Sequence, residues 1–141
     1  MTEPTDTERR ELNERLARAT GYRAAPSKEY TGYWVFLDPR GEICTDYEGG
    51  AFLFSSENHA WGNCCPDFTR DPAASRELVV WLAAQDAAGA FFFGSFLYHL
   101  EKALISAGVH MGGTINRQRE FMTASPLLIA IAADASIGGK E

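Results

Sequence analysis

The most reactive side chains in this sequence belong to three cysteines and three histidines, and three of these six residues share one short segment. His59, Cys64 and Cys65 carry the nitrogen and sulfur ligands that zinc prefers, and Cys44 or His110 could supply a fourth. The spacing is poor for a metal site, because adjacent cysteines seldom chelate one ion and no Cys-x-x-Cys is present. We therefore favour reduced structural cysteines and a loop histidine, and we predict no metal and no cofactor.

A thiol beside an imidazole could also act as a nucleophile with its base. The candidate pairs combine Cys64 or Cys65 with His59 or His99. No sequence signature supports such a pair, so we expect buried or half-buried thiols. Ser95 lies within a helical pattern rather than at the strand-to-helix turn of serine hydrolases. We therefore predict a protein that is not an enzyme and keep a metal- or thiol-dependent enzyme as the least favoured alternative.

One segment of the sequence resembles an anion-binding loop. A glycine pair at 112–113 precedes Thr114, Arg117 and Arg119. Glycines let backbone N–H groups point at a phosphate, and arginines add bidentate donors. Further side chains that could line such a site are Trp34, Trp61, Tyr98 and His99. The hypothesis is a site for a small anionic ligand such as a nucleotide, and the alternative is a solvated loop with the aromatic residues packed in the core.

Composition and charge restrict the class of protein and its partners. The chain has 141 residues, of which 45% are hydrophobic and 23% charged, and its net charge is −6. These values are typical of one globular domain and exclude a mainly disordered chain. The negative charge disfavours generic nucleic-acid binding. No apolar stretch approaches the ~20 residues of a membrane helix, no secretory signal is visible, and three cysteines cannot form a disulfide framework. We therefore predict a cytoplasmic protein without membrane contact.

Helix-start signals and apolar spacing predict four helices. Thr5 and Glu8 form a capping box, and Asp71 and Ser125 each precede a proline at the first helical position. Apolar residues at i, i+3, i+4 and i+7 predict the remaining helix. The predicted helices are residues 6–20, a segment from Asp71-Pro72 to Gly89, residues 91–107 and a segment after Ser125-Pro126.

A small antiparallel sheet is predicted from three runs of strand-forming residues around a turn at 38–41. These runs are residues 33–37, 42–45 and 51–54. Residues 1–5 are expected to fray, and residues 22–32, 55–68 and 109–124 are expected to be loops. The predicted fold is thus α/β of the α+β type, a single domain over residues 1–141 with three to four helices layered on the sheet. The predicted core is Leu16, Val35, Leu37, Leu78, Leu82, Phe96, Leu100, Leu128 and Ile131.

The helix at 91–107 carries more apolar residues than one buried stripe needs. Phe92 and Tyr98 flank the stripe that contains Phe93, Leu97 and Leu100. Exposed apolar patches of this kind usually mark interfaces. We therefore predict a homo-oligomer, most simply a twofold dimer, unless residues 109–124 cover the same surface.

Four sequence segments resemble the phage ABA-sandwich domain family of small phage and prophage proteins. The segments are residues 12–22, a helix ending in Gly-Tyr; Trp34 with Asp38-Pro39-Arg40-Gly41-Glu42; residues 66–71, Pro-Asp-Phe-Thr-Arg-Asp; and residues 123–133, Thr-Ala-Ser-Pro before an alanine-rich helix. The resemblance implies a layered α/β domain encoded by a phage or prophage. It implies no established activity, so it assigns no functional residues.

The resemblance implies the biological setting, because phage genes of this size often act on host defence. The expected function is a non-enzymatic accessory protein that counteracts host defence by binding a host-derived ligand, with a small anionic or nucleotide signal favoured. The alternative is an inhibitor that binds a host defence protein through an acidic surface. That surface would be built from Glu3, Glu8, Glu11, Glu42 and Glu48.

Overall fold

A computed structural model describes residues 4–45, 50–87, 92–108 and 124–138. The chain forms two compact units. The continuous unit is Ala17–Pro66, and the discontinuous unit combines Met1–Leu16 with Asp67–Glu141. Within the described ranges there are five α-helices and one two-stranded antiparallel sheet, which confirms the predicted α+β class.

Among the described residues, the two strands lie between the first and second helices, and three more helices follow. In chain order they are α1 (Asp6–Thr20), β1 (Arg23–Pro26), β2 (Trp34–Leu37), α2 (Glu57–Cys64), α3 (Pro72–Ala87), α4 (Phe92–Ser106) and α5 (Pro126–Gly138). None of these helices is long and apolar enough to span a lipid bilayer, a finding that covers the described residues.

Three helices pack together in the discontinuous unit. α4 makes its most extensive contact with α5, and α3 contacts both. α5 presents Ala130, Ala132 and Ala133 as buried residues, and such small side chains let a neighbouring helix approach closely. The larger buried side chains of this unit are Leu12, Leu16, Phe68, Leu78, Leu82, Phe96, Leu100 and Leu104.

The predicted helix starts of the discontinuous unit are confirmed. Thr5 and Glu8 exchange two hydrogen bonds, in which each backbone N–H donates to the other side chain at 2.8 and 3.1 Å. Asp71 Oδ1 accepts from the Ala73 N–H at 3.0 Å, and Ser125 Oγ accepts from the Leu128 N–H at 3.3 Å. These caps satisfy backbone donors that the helices themselves leave unpaired.

A polar cluster joins α1 to the segment before α3. Asn13 Oδ1 accepts a hydrogen bond from the Phe68 N–H, and its amide nitrogen donates to Asp67 Oδ1 at 3.0 Å. The Thr69 hydroxyl donates to the same carboxylate oxygen at 2.6 Å. Burial acts to raise the pKa of Asp67. The hydrogen bonds from Thr69 and Asn13, together with the charge of Arg70, outweigh burial and hold that pKa below its usual value.

The continuous unit is built on the β1–β2 pair. The two strands are antiparallel, with Arg23 opposite Leu37 and Pro26 opposite Trp34. On its other side, β2 forms single bridges, Trp34 with Phe54 and Leu37 with Ile43. The predicted segments at 42–45 and 51–54 therefore do lie beside β2 and each other, but as isolated bridges rather than as strands.

The turn that joins β2 to the segment at 43–45 lies where the sequence predicts it, at residues 38–41. Asp38 Oδ1 accepts hydrogen bonds from the Arg40 and Glu42 N–H groups, both at 2.9 Å. Gly41 has a φ of 85°, a left-handed conformation that glycine adopts without strain. The Gly41 N–H closes the turn onto the Asp38 carbonyl at 2.9 Å.

Two of the predicted loops contain regular structure, so those predictions are wrong. β1 lies within the predicted loop 22–32, because Arg-Ala-Ala-Pro lacks strand-forming side chains and takes its extended form from pairing with β2. α2 lies within the predicted loop 55–68, where Ser56 Oγ caps the helix by accepting from the His59 N–H at 3.1 Å. The predicted loop at 109–124 falls outside the described residues except for its last position.

The predicted core is largely confirmed. Leu16, Val35, Leu78, Leu82, Phe96 and Leu100 are buried. Three predicted members are only half-buried: Leu37, Leu128 and Ile131. Leu37 ends its strand, and α5 places Ala130, Ala132 and Ala133 at the most buried positions instead, because small side chains suit a close helix contact.

Candidate functional site

A groove lies between α3, α4 and α5 in the discontinuous unit. Its volume is about 410 Å³, which is within the usual range of small-molecule sites, roughly 300–1,000 Å³. Its lining is mostly apolar, with two polar exceptions on α3. The lining residues are Pro72, Ser75, Arg76, Val79, Phe93, Phe96, Leu97, Leu100, Ala124, Pro126 and Ile129.

The sequence places these side chains by helical spacing. On α4, Phe93, Phe96 and Leu100 recur at i, i+3 and i+7 and so share one side of the helix. The Phe93 and Phe96 rings are 5.9 Å apart between centroids. On α3, Arg76 and Val79 are three residues apart and border the same groove. The apolar wall is thus held by helices rather than by loops.

Ser75 is an anomaly in this wall. The residue is 3% exposed, and its hydroxyl oxygen is buried without a hydrogen-bond partner in the described part of the chain. Its backbone N–H makes an ordinary helical bond to the Asp71 carbonyl at 3.0 Å. Leaving a buried hydroxyl unsatisfied costs about 1–3 kcal/mol, so such groups call for an explanation. A ligand in the groove that hydrogen-bonds to Ser75 Oγ would remove that cost.

The polar end of the groove favours negative charge. Arg76 is exposed and lines the groove, and no carboxylate in the described ranges pairs with it. α3 and α5 both begin at the groove, with Pro72 and Pro126 among its lining residues, and neither helix has an acidic residue in its first turn. Helix N-termini carry partial positive charge, although the Asp71 cap offsets part of it at α3.

The anion-binding loop predicted around Thr114, Arg117 and Arg119 lies outside the described residues. Of the aromatic and imidazole candidates on α4, Tyr98 is 55% exposed, and His99 is half-buried. Lys102 Nζ lies 5.0 Å from the centre of the Tyr98 ring. Neither Tyr98 nor His99 lines the groove, although both lie on α4.

The two tryptophan candidates belong to the continuous unit. Trp61 is buried and packs edge-on against Phe36 at 4.9 Å, with the Arg18 guanidinium 4.2 Å from its ring centre. Trp34 is half-buried in β2. Trp61 is therefore packed in the core, the alternative that the sequence analysis set against a ligand site. The Arg18 guanidinium lies over its ring in a cation–π contact.

The three weak metal candidates do not converge. His59 Nδ1 lies 3.2 Å from Ser55 Oγ, while the Cys65 thiol donates to the Pro66 carbonyl at 3.7 Å. The Cys64 thiol instead donates to Cys44 Sγ at 3.6 Å. Where the structure describes the chain, no group of three or more histidine, cysteine or acidic residues is arranged to hold a metal ion.

The pKa of the Cys64 thiol is shifted in the direction opposite to that of a catalytic nucleophile. Burial is the main cause that raises the pKa of Cys64 to about 12, and the hydrogen bond and charge of the neighbouring Cys44 sulfur account for the rest of that increase. A catalytic thiol needs a lowered pKa, because the thiolate is the nucleophile. The Cys64 thiol is therefore protonated at neutral pH.

Sequence reasoning missed the groove residues on α3. One signal was present: Ser75 lies at helical spacing from Leu78 and Leu82, so a polar residue falls on an apolar stripe.

Of the acidic surface expected for a protein partner, Glu3 and Glu48 lie outside the described residues. Glu8, Glu11 and Glu42 are exposed, the first two in the discontinuous unit and the third in the continuous unit. Comparison of the chain with family models, with curated proteins and with solved structures finds no match.

Proposed function

We propose that the protein is a non-enzymatic binding module that takes a small ligand with an apolar body and one anionic group in the groove between α3, α4 and α5. The observation that carries the proposal is the buried, unsatisfied Ser75 hydroxyl beside Arg76 on an otherwise apolar wall. The apolar body would lie against Phe96, Leu97 and Leu100, and the anionic group would lie at the Ser75–Arg76 end.

The lining favours one charge over several. A nucleotide with two or three phosphates needs more donors than one guanidinium, one hydroxyl and the ends of two helices provide. An acyl or aromatic carboxylate needs only one charged contact and gains most of its affinity by burying apolar surface. The ligand class is therefore narrower than the small anionic ligand expected from the sequence, and its site is different.

The biological setting belongs to the same proposal. A phage or prophage accessory protein would use such a groove to sequester a host-derived signal and so counteract host defence. The resemblance of the sequence to phage ABA-sandwich proteins supports this setting. The groove supports binding of a small host-derived ligand over binding of a host defence protein.

Calorimetric titration with octanoate and with 1-octanol tests the ligand class, because the two share an apolar chain and differ in charge. Octanoate is expected to bind about fivefold tighter, as an exposed charged contact contributes roughly 1 kcal/mol. Arg76→Gln should abolish that preference and leave octanol binding unchanged. Arg10→Gln is the matched control, since Arg10 is exposed on α1 and does not line the groove.

A second pair of variants tests the location. Val79→Phe places a larger side chain in the groove and should weaken both ligands. Val80→Phe makes the same change at the next residue, which is 64% exposed and outside the groove, and should have no effect. Equal binding by the Val79 and Val80 variants would place the ligand elsewhere, and no heat from either ligand with the unmodified chain would overturn the proposal.

A further inference from the structure

The thiols of Cys44 and Cys64 face each other in the continuous unit, and the proposed function uses neither. Their Sγ atoms are 3.6 Å apart, with the Cys64 thiol donating to Cys44. Both residues are half-buried, and neither forms a disulfide in this structure. They are 20 positions apart in the chain, so their meeting depends on the fold.

The backbone fixes both cysteines. The Cys44 N–H donates to the Phe36 carbonyl at 2.9 Å, and its carbonyl accepts from the Phe52 N–H at 3.1 Å. Cys64 is the last residue of α2, which is anchored to β2 by the edge-on contact of Trp61 with Phe36. Phe36 therefore anchors both cysteine-bearing segments, and the two thiols are held together by main-chain and core contacts.

We propose that Cys44 and Cys64 form a thiol–disulfide exchange site that reacts with a low-molecular-weight disulfide and closes an intramolecular disulfide. A disulfide has an S–S distance of about 2.05 Å, so the sulfur atoms must approach by roughly 1.5 Å. In this proposal, rotation of the two side chains supplies that approach. The site is independent of the groove, so its test does not depend on the proposed function.

The chemistry balances in two exchange steps. Cys44 is the sulfur assigned to attack first, because it accepts the hydrogen bond while the Cys64 thiol keeps its proton as the donor. The Cys44 thiolate attacks one sulfur of the disulfide RSSR, forms a mixed disulfide and releases RS⁻. Cys64 then loses its proton to solvent, attacks Cys44 Sγ and releases the second RS⁻. Two protein thiols are oxidised and one RSSR is reduced to two RSH.

The second step is expected to be slow and to accelerate with pH. Burial, together with the neighbouring Cys44 sulfur, raises the pKa of Cys64 to about 12, so few Cys64 thiolates are present near neutrality. Cys65 is the natural competitor because it is adjacent in sequence. Its thiol is directed to the Pro66 carbonyl at 3.7 Å rather than to Cys44, which predicts that exchange selects Cys64.

Oxidation of the full chain with glutathione disulfide at pH 8 tests the proposal. Thiols titrated in denaturant should fall from three to one per chain, and peptide mass mapping should show the Cys44 peptide linked to the Cys64 peptide. The closed form should melt roughly 5–10 °C higher, since the cross-link limits the unfolded chain. Cys65→Ser should still close the disulfide, with its thiols falling from two to none.

Variants at the proposed pair give the opposite result. Cys44→Ser and Cys44→Ala should not form an internal disulfide. If one of these variants folds poorly, the other still tests whether Cys44 is required. Three thiols remaining after oxidation of the natural chain would overturn the proposal. A persistent glutathione adduct on Cys44, a link from Cys44 to Cys65 or a link between two chains would overturn it as well.

Discussion

Asn13 and Phe68 are 55 positions apart in the chain, and the Phe68 backbone N–H donates a 2.8 Å hydrogen bond to the Asn13 side-chain oxygen. Asn13 is buried, and its amide nitrogen donates to Asp67. One side chain on α1 therefore satisfies both a backbone donor and a carboxylate in the segment that leads into α3.

Replacing this amide should destabilise the fold. Asn13→Leu removes both hydrogen bonds, including the buried one from the Phe68 N–H, which should lower the free energy of unfolding by about 2–4 kcal/mol. Urea denaturation followed by circular dichroism measures the change. Glu11→Leu, at an exposed position of the same helix, is the control, and equal midpoints for the two variants would contradict the prediction.

The Asp67 carboxylate should make part of the stability depend on pH. Its folded-state pKa is lowered, so its contribution is fully present above the unfolded pKa of about 3.9 and is lost as the pH falls through the lower folded value. Asp67→Asn should therefore lower the melting temperature at pH 7, and its difference from the natural chain should shrink as the pH falls below about 3.9. A constant difference between the two chains from pH 7 to pH 3 would exclude this linkage.

Ser75→Ala should separate stability from binding. The substitution removes a buried unsatisfied hydroxyl and adds helix propensity, so it should raise the free energy of unfolding by about 0.5–1.5 kcal/mol. It should also weaken octanoate binding. Ser95→Ala provides the control, because it makes the same change within α4 at a half-buried position outside the groove. A smaller gain at Ser75 than at Ser95 would mean that the Ser75 hydroxyl already has a partner.

Cys64 should resist alkylation in the folded protein. With a pKa of about 12, its thiolate fraction at pH 8 is on the order of 10⁻⁴. Iodoacetamide labelling followed by mass spectrometry should show Cys64 reacting far more slowly in the folded chain than in the urea-denatured chain. Because burial is the main cause of the raised pKa, Cys44→Ala should leave Cys64 slow, and rapid labelling in that variant would assign the effect to Cys44 instead.

The homodimer inferred from the apolar helix stays a prediction. Tyr98 and Ile105 are both 55% exposed on α4 and lie seven residues apart, so they share one outward stripe of the helix. Light scattering at micromolar concentration should give twice the mass of 15.5 kDa, and Ile105→Glu should reduce it to one chain. A mass of one chain before any substitution would show that this stripe does not bind a second copy.

The sequence predicted those helices whose first residues carry their own capping signals. The caps at Thr5, Asp71 and Ser125 are formed by residues next to the helices that they start, so sequence alone places those helices. β1 carries no such signal, because its pairing with β2 decides its conformation. α2 has a serine cap, but Gly62 and Asn63 weaken its helix propensity, and the burial of Trp61 against Phe36 compensates.

The groove could not be predicted from sequence because α5, which completes it, begins 20 positions after α4 ends. Nothing local relates Val79 to Ile129, and the apolar spacing of α4 is typical of core packing as much as of a binding wall. The Cys44–Cys64 pair was likewise not predicted, since Cys44 was considered only as a possible fourth metal ligand beside His59, Cys64 and Cys65. Contacts between distant segments carry both candidate sites.

The chain leaves the discontinuous unit after Leu16 and returns to it at Asp67. The hydrogen bond between Asn13 and Phe68, called the clasp below, therefore bears on the order of folding. Bringing those two points together in an unfolded chain costs about 3–4 kcal/mol of loop-closure entropy for the intervening residues. The continuous unit is one unbroken segment of the chain, so it can fold without closing a loop to any residue outside that segment. If it becomes compact first, it shortens the gap that Asn13 must bridge, and the clasp then forms late, as the step that closes the discontinuous unit.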